Sequence, residues 1–242
     1  MTTNKLNIAL IGYGKMGKTL EKVAKSRGHS IGLVISRANQ EEFNSKNLDA
    51  IDVAIEFTLP RAAKANLLNL ANAGIPTVCG TTAWLDDYEA VCKSYQDKQT
   101  GFIYASNFSI GVNILFNLNK RLAEIMNPLS EYEVKIKEAH HITKLDAPSG
   151  TAVTLGNQII EQLDRKEKWS LDETAAEIIP ITAVREKDVK GDHEIKYTSS
   201  IDEITLRHEA FSRDGFALGA VIAAEYIYNK DTVCTMSDVL KL

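Results

Sequence analysis

The chain has 242 residues, 44% of them hydrophobic and 25% charged, which is typical of a soluble globular protein with one large or two small domains. Its 28 basic side chains nearly balance 32 acidic ones, and the net charge of −4 argues against a general binder of nucleic acid or membrane surfaces. The apolar runs are too short for a membrane-spanning helix or a signal-peptide core. The cysteines Cys79, Cys92 and Cys234 are widely spaced, so we expect reduced thiols in a cytoplasm rather than disulfide bonds.

The first half of the chain alternates short apolar strands with helical patterns. This alternation is typical of βαβ units and of a parallel sheet that is covered on both faces. Strands are predicted at Leu6–Ile11, Ser30–Ile35, Asp52–Phe57, Pro76–Cys79 and Phe102–Ala105, and helices from Gly17 to about Arg27, at Arg61–Ala73 and at Asp86–Lys98.

Beyond Asn107 the pattern changes. Residues 131–139 alternate polar and apolar with a period of two, which predicts a half-buried strand and a mixed or antiparallel sheet. We predict a first domain in residues 1–107, a second α+β domain with a mixed sheet in residues 108–215, and packing of residues 216–242 back on the first domain. The other predicted elements are helices at Gly111–Met126, Thr151–Leu163 and Phe216–Tyr228 and strands near Ile178–Val184, His193–Ser199 and Glu203–His208.

A glycine-rich turn directly follows the first predicted strand and opens the first helix. In this context the GxGxxG pattern predicts a Rossmann-type dinucleotide-binding domain, in an α/β protein. Gly12 would make the tight turn, Gly14 would let the backbone approach a pyrophosphate, and Gly17 would allow close helix–strand packing. The alternative is a glycine-rich turn that binds no ligand. The full turn comprises Gly12, Tyr13, Gly14, Lys15, Met16 and Gly17.

The turns after the other strands offer further cofactor-binding candidates. The second strand ends in Ser36-Arg37, where NAD-binding domains carry an acidic residue that binds the ribose diol, so NADPH is favoured over NADH. The alternative is that Arg37 is a solvated surface charge that does not contact the cofactor. Two more segments follow strand ends, where ligands bind in open α/β sheets, although ordinary turn chemistry would explain them equally well. They are Gly80, Thr81 and Thr82, and Ala105, Ser106, Asn107 and Phe108.

A polar run from Glu138 to Thr151 carries the candidate chemistry of the second half. Histidine side chains exchange protons near neutral pH, so His140 is a candidate proton donor or acceptor, while Lys144 is a candidate proton donor or anion-binding group. Adjacent side chains of an extended segment point to opposite sides, so we expect only one of His140 and His141 to transfer a proton. Ser149, Gly150 and Thr151 precede a helix and predict a cradle for a carboxylate or phosphate.

Two other interpretations of this run are less favoured. A metal site built from the two histidines and Asp146 lacks the helical spacing of known zinc motifs, so we predict no metal. The second interpretation is that the run is a basic loop on the surface without a function in catalysis or binding. We assign the remaining histidines to ordinary structural positions: His29 to a helix end, and His193 and His208 to the surface or to a satisfied place in the core.

The run EAHHITKLDAPSGTA, together with GYGKMG, GTT and ASNFSIGVN, resembles the dihydrodipicolinate reductase family over most of the chain. This resemblance implies a reductase of the diaminopimelate route to lysine that uses NADPH or NADH. The substrate would be a cyclic dicarboxylate formed from 4-hydroxy-tetrahydrodipicolinate, and the product tetrahydrodipicolinate. The family also implies a homotetramer, with the second domain supplying the substrate site and the contacts between subunits.

The resemblance assigns roles to particular residues. His140 matches the family's proton donor or acceptor and Lys144 its proton donor, while His141 and the Gly150-Thr151 pair match substrate-binding positions. The glycine turn, the 80–82 segment and the 105–108 segment match cofactor-binding segments. The chain departs from the family at Ser36-Arg37, where many members carry a glutamate before the arginine, and this puts tight NADH binding in doubt.

Two other functions remain open from the residues. One is a different NAD(P)-dependent dehydrogenase, which activity on an aldehyde or hydroxy acid would reveal. The other is a dinucleotide-sensing regulator without catalysis, but the sequence shows neither a helix-turn-helix pattern nor a basic patch for DNA, and the polar run would then be unexplained.

Overall fold

The computed structural model describes residues 4–212 and 214–242. Across these ranges, every helix is too short or too polar to cross a lipid bilayer. In chain order, the first elements are β1 (Asn7–Ile11), α1 (Lys15–Ser26), β2 (Ser30–Ile35), α2 (Ser45–Leu48), β3 (Val53–Glu56), α3 (Pro60–Asn72), β4 (Thr77–Cys79), α4 (Tyr88–Asp97) and β5 (Phe102–Tyr104). They are followed by α5 (Ile110–Met126), β6 (Glu133–His140), α6 (Gly150–Ile160), β7 (Lys168–Ser170), β8 (Ile178–Arg185), β9 (Asp192–Thr198), β10 (Glu203–Glu209), α7 (Asp214–Ile227), β11 (Val233–Cys234) and α8 (Met236–Leu240).

The chain divides into two compact units. One comprises the chain up to Ile110 together with Asp214–Leu242, and the other comprises the segment between them, from Gly111 onward. The sheet of the first unit has the strand order β11-β5-β4-β3-β1-β2, and all its pairings are parallel. Strands β3 and β4 are buried at every residue, because helices cover both faces of the sheet. The predicted Rossmann-type architecture is confirmed.

Helix α7 belongs to the first unit, where it packs beside α1. Its Glu225 carboxylate accepts hydrogen bonds from Nε of Arg27 at 2.6 Å and from its Nη2 at 2.8 Å. His29 accepts the Leu6 backbone N–H at Nδ1, so its Nε2 carries a hydrogen and donates to Glu225 at 2.8 Å. A Cβ at Gly219 would lie 1.7 Å from the Phe108 carbonyl oxygen, so only glycine allows this close approach.

The second unit contains a mixed sheet with the order β10-β9-β6-β8-β7, as predicted. Strand β6 pairs parallel with β8 and antiparallel with β9. Its exposure alternates along the strand: Val134 and Ile136 face a core that α5 and α6 help to form, while Lys135 and Lys137 lie on the exposed face. Glu138 and His140 continue the inward face beyond the apolar core, which places two ionisable side chains at the end of the strand.

The predicted and observed elements differ mainly at their ends. Helix α6 ends at Ile160, three residues before the predicted Leu163. The polar stretch at 37–47 holds a 3-10 turn at Gln40–Glu42 and the start of α2. Strands β7 and β11 were not predicted, because they have three and two residues and are too short for a periodic pattern.

Candidate active site

Two adjoining clefts lie at the carboxyl ends of the parallel strands in the first unit. The larger, of about 530 Å³, lies between the glycine turn, the end of β2 and the start of α3. The two clefts share Gly14, Phe57 and Thr58. Of the predicted cofactor-binding residues, the larger is lined by Gly12, Tyr13, Gly14 and Arg37, and the smaller by Gly14, Lys15, Met16, Gly17, Gly80, Thr81 and Thr82.

The N-terminus of α1 fits a pyrophosphate. Gly14 is the N-cap residue, and no side chain caps the helix there. A Cβ at Gly14 would meet nothing within 4 Å, so the space above the turn is open, whereas a Cβ at Gly17 would lie 2.3 Å from the Gly12 carbonyl oxygen. Gly12 itself has a φ of +100°, which favours glycine. The turn therefore leaves free backbone N–H groups facing an accessible cleft, which suits an anion.

Two arginines line the larger cleft. Arg37 follows β2, and Arg61 lies in the first turn of α3. The loop after β2 is held by Asn39, whose side-chain oxygen accepts hydrogen bonds from the backbone N–H and the hydroxyl of Ser36, each at 2.8 Å. Among the described residues that line this cleft, none is a carboxylate. A dinucleotide ribose held there would meet cationic rather than acidic side chains.

The segment Ala105–Phe108 lies next to the clefts rather than in their walls. Phe108 is buried, and its ring centroid is 6.0 Å from that of Phe57, which lines both clefts. The backbone N–H of Ala105 donates to the Cys79 carbonyl at 3.2 Å. This segment thus supports the walls from behind through Phe57.

In the second unit, the register of the sheet assembles a cluster of ionisable groups. Glu138 lies opposite His193 of β9, and His140 lies opposite Arg185 of β8. The carboxylate of Glu138 is fully buried. Its Oε1 lies 3.0 Å from Nη1 of Arg185 and accepts the backbone N–H of Ser149 at 3.3 Å, and its Oε2 contacts Nδ1 of His140.

Glu138 is held in its ionised form. Burial by itself would raise the pKa of this carboxyl, but hydrogen bonds from His140 and Arg185 outweigh the burial, and the pKa of Glu138 is lowered. An ionised carboxylate only accepts hydrogen bonds, so Nδ1 of His140 must donate. Nε2 of His140 is therefore the nitrogen left for chemistry.

His193 is buried and lies next to His140, with ring centroids 5.2 Å apart. Its Nε2 is 3.0 Å from Oγ of Ser149. Burial, followed by the positive charge of His140, lowers the pKa of His193 to about 3. His193 is therefore neutral at physiological pH. The sequence pattern placed His193 at the surface or at an ordinary hydrogen-bonded position in the core, and so missed its contact with this cluster.

Lys144 and His141 lie on the loop that follows β6. Nζ of Lys144 is 2.8 and 2.9 Å from the two carboxylate oxygens of Asp146, and this partner lowers the pKa of Asp146. Nη2 of Arg185 donates to the backbone carbonyl of Asp146 at 2.6 Å, which ties the loop to β8. The side chain of His141 lies within 2.8 Å of the Thr143 hydroxyl and lines a separate cleft with the exposed Lys187 and Lys190.

The helix predicted after Ser149, Gly150 and Thr151 is present and begins at Gly150. Ser149 is the N-cap of α6, and its hydroxyl accepts the Ala152 N–H at 3.2 Å. Gly150 begins the helix, and a Cβ there would meet nothing within 4 Å. The first turn of α6, which includes Thr151, thus begins beside Glu138 with open space at Gly150.

Comparison with known proteins identifies the family. The family model described as "Dihydrodipicolinate reductase, N-terminus" matches residues 6–108, and that described as "Dihydrodipicolinate reductase, C-terminus" matches residues 111–240. The chain belongs to the dihydrodipicolinate reductase family. It is an oxidoreductase, and this family reduces its substrate with a nicotinamide cofactor in diaminopimelate and lysine biosynthesis.

Individual relatives agree with this family assignment. A 4-hydroxy-tetrahydrodipicolinate reductase of Christiangramia forsetii is 50% identical over 97% of this chain and 98% of its own length. One from Methanosarcina acetivorans is 35% identical over 100% of this chain and 91% of its own length. The dipicolinate-bound dihydrodipicolinate reductase of Paenisporosarcina sp. TG-14 shares the fold, with a TM-score of 0.76 and 21% identity over 96% of this chain and 97% of that one.

The geometry of this reductase also bears on metal binding. Glu138, His140 and His193 bring potential ligand atoms within 4.8 Å of one another. Both oxygens of Glu138 are already engaged by Arg185, Ser149 and His140. The guanidinium of Arg185 would also repel a cation at this place. The cluster is therefore built as a hydrogen-bonded acid–base network.

Several residues of the two sites were not singled out from the sequence. Glu138 gave the clearest signal, because it follows Val134 and Ile136 on the inward face of an alternating strand, and a buried acid needs partners. Arg185 and His193 carry no comparable local signal, since the sheet register brings them to Glu138. In the first unit, Phe57, Thr58 and Arg61 were also missed, although they lie at or shortly after the end of the third predicted strand, where ligands bind in open α/β sheets.

Proposed function

We propose that this reductase converts the dehydrated form of 4-hydroxy-tetrahydrodipicolinate to tetrahydrodipicolinate, with NADPH as its preferred cofactor. The reduction adds one hydride and one proton to the substrate. When bound, the reduced nicotinamide supplies the hydride. The protein must therefore supply the proton and hold a dicarboxylate in place.

The proton comes from the cluster at the end of β6. His140 is the proton donor, because its Nδ1 is held by Glu138 and its Nε2 is left for the substrate. General acid catalysis of this kind contributes roughly 10²- to 10⁴-fold. Lys144 is a second candidate donor, and its ion pair with Asp146 fixes its ammonium group close to the same loop.

The first turn of α6 binds a substrate carboxylate. Its backbone N–H groups and helix dipole favour an anion, and the open space at Gly150 admits one. Ser149, Thr151 and His141 complete the proposed set of substrate-binding residues. Exposed lysines near His141 add positive charge for a second carboxylate.

NADPH preference is supported by the two arginines of the larger cleft. Arg37 and Arg61 both line this cleft, and a guanidinium binds the 2′-phosphate of NADPH better than it binds the ribose diol of NADH. The glycine turn and Gly80, Thr81 and Thr82 form the rest of the proposed cofactor site, and the 105–108 segment supports it through the contact of Phe108 with Phe57. The single observation that carries the proposal is the hydrogen-bonded cluster of Glu138, His140 and Arg185 in a chain of this family.

The reductase assembles as a homotetramer. One face of the five-stranded sheet packs on α5 and α6, and the opposite face exposes Lys135 and Lys137 of β6. An exposed sheet face is available for contacts between copies of the chain. Light scattering on the purified protein measures the assembly, and a monomer at all concentrations would contradict it.

A coupled assay tests the activity. A synthase that makes the hydroxylated precursor supplies the substrate, and the loss of absorbance of NADPH and NADH is followed in parallel. We expect turnover with both cofactors and a lower KM for NADPH. Turnover of an aldehyde or hydroxy acid without turnover of the dehydrated cyclic dicarboxylate would replace this proposal with a different dehydrogenase.

A further inference from the structure

We infer that Glu138 is a positioning residue for His140: its carboxylate keeps the hydrogen on Nδ1, so that Nε2 is the nitrogen that gives the proton to the substrate. The inference rests on the proposed role of His140 as proton donor. Glu138 itself is fully buried and acts through His140 rather than on the substrate.

The contacts of Glu138 explain why its position is fixed. One oxygen is held by the Arg185 guanidinium at 3.0 Å and by the Ser149 backbone N–H at 3.3 Å. The other oxygen is left for Nδ1 of His140. Glu138 and His140 are two residues apart on one strand, so they project to the same face of the sheet. The carboxylate thus joins the proton donor to the first turn of the proposed substrate cradle.

The opposite nitrogen of His140 faces a glycine. A Cβ on Gly191 would lie 3.1 Å from Nε2, and Gly191 has a φ of +150°, which a residue with a side chain rarely adopts. Glycine therefore leaves room beside Nε2. The imidazole is thus held at Nδ1, while no side chain from position 191 crowds Nε2.

The charged groups around His140 lead to the same conclusion about Glu138 as the distances do. Arg185 on β8 and Lys144 on the following loop bring positive charge near His140, His193 on β9 is neutral, and Asp146 is paired with Lys144. Glu138 is the carboxylate in direct contact with the ring, and it stabilises the imidazolium. In the transfer, the Nε2–H bond breaks as a C–H bond forms on the substrate, the electron pair stays on Nε2, and water later returns the proton.

Glu138→Gln tests the inference, because the amide retains a hydrogen-bond acceptor but removes the charge. We expect the alkaline limb of the kcat–pH profile to move to lower pH by one unit or more. The kcat should fall about tenfold at pH 8 and recover in acid. The imidazole pKa of His140, followed by NMR on cofactor-free protein, should fall by the same amount. Glu186→Gln is the matched control: it removes an exposed carboxylate next to Arg185 in sequence and should shift neither readout.

Two results would overturn the inference. One is a loss of activity in Glu138→Gln without any shift in the pH profile or in the NMR titration, which indicates a merely structural role. The other comes from nitrogen NMR of the unmutated protein, if neutral His140 carries its hydrogen on Nε2; this measurement needs no variant to fold. The NMR shift does not depend on turnover, so full activity of His140→Ala would reject the proposed function while leaving the positioning by Glu138 measurable.

Discussion

Oγ of Ser149 lies 3.0 Å from Nε2 of His193, and the same oxygen caps helix α6 by accepting the Ala152 N–H. Both side chains are buried. The serine therefore connects the start of α6 to strand β9. Because burial disfavours a charged imidazole and lowers the pKa of His193, this buried place links the stability of the second unit to pH.

His193→Gln should reduce the acid sensitivity of the fold. The pKa of His193 is lowered to about 3 in the folded protein, below its ordinary value of 6.5, so the unfolded chain binds the proton more readily. Its stabilising contribution is complete above pH 6.5 and is lost as the pH falls toward 3. Between pH 6.5 and 5 the unmutated protein should lose ~2 kcal/mol more than the variant. Urea unfolding at several pH values measures this, and equal slopes of stability against pH in both proteins would contradict it.

Gly14→Ala and Gly17→Ala should fail in different ways. The Cβ at Gly17 would collide with the Gly12 carbonyl, so this variant should lose about 1–3 kcal/mol of stability. The Cβ at Gly14 has open space, so that variant should unfold at nearly the unmutated temperature but bind NADPH at least ~10-fold more weakly. Thermal unfolding and fluorescence titration with NADPH separate the two effects. Unchanged NADPH affinity in Gly14→Ala would show that the phosphates of the cofactor do not bind at this turn.

Arg37→Ala should raise the KM for NADPH about three- to tenfold and leave that for NADH almost unchanged. Arg37 is exposed, so a single contact with a 2′-phosphate is worth up to about 1 kcal/mol, and a bidentate contact about 1.4 kcal/mol, which is the tenfold limit. Arg61→Ala should act in the same direction. Higher ionic strength should reduce the advantage of NADPH. Steady-state kinetics with both cofactors decide the point: equal losses for the two would place both arginines away from the 2′-phosphate.

His140→Ala should lower kcat by roughly 10²- to 10⁴-fold, because the proton donor is lost. Lys144→Ala should lower it as well, although Lys144 is already paired with Asp146. Neither change touches the first unit's clefts, so NADPH binding measured by fluorescence should stay unchanged. If both variants kept a near-normal kcat and lost NADPH affinity instead, the assigned roles would be wrong.

Gly150→Val should raise the KM for the dicarboxylate without preventing folding, because a Cβ there would meet nothing within 4 Å in the protein. Thr151→Val should act similarly by altering the same first turn. Thr154→Ser, one turn further along α6, keeps the hydroxyl that donates to the Gly150 carbonyl at 3.0 Å; it is the control and should leave the KM unchanged. An unchanged KM in Gly150→Val would place the carboxylate site elsewhere.

The sequence determined the features that depend on neighbouring residues. The period-two pattern of residues 131–139 predicted β6, and the glycine turn predicted both the start of α1 and the cleft at Gly14. Ser149 was recognised as the start of a helix, and it caps α6. These signals are local because hydrogen bonding and backbone geometry within one element decide them.

Tertiary structure decided which distant residues meet. Arg185 and His193 reach Glu138 only through the register of β6 with β8 and β9. Helix α7 joins the first unit by packing and through the contacts of Glu225 with Arg27 and His29. Register and packing depend on how all inward-facing side chains fill one core together, so a pattern of neighbouring residues does not predict them. For this reason the sequence predicted His140 and Lys144, whereas the contact between the Glu138 carboxylate and His140 became evident only in the folded sheet.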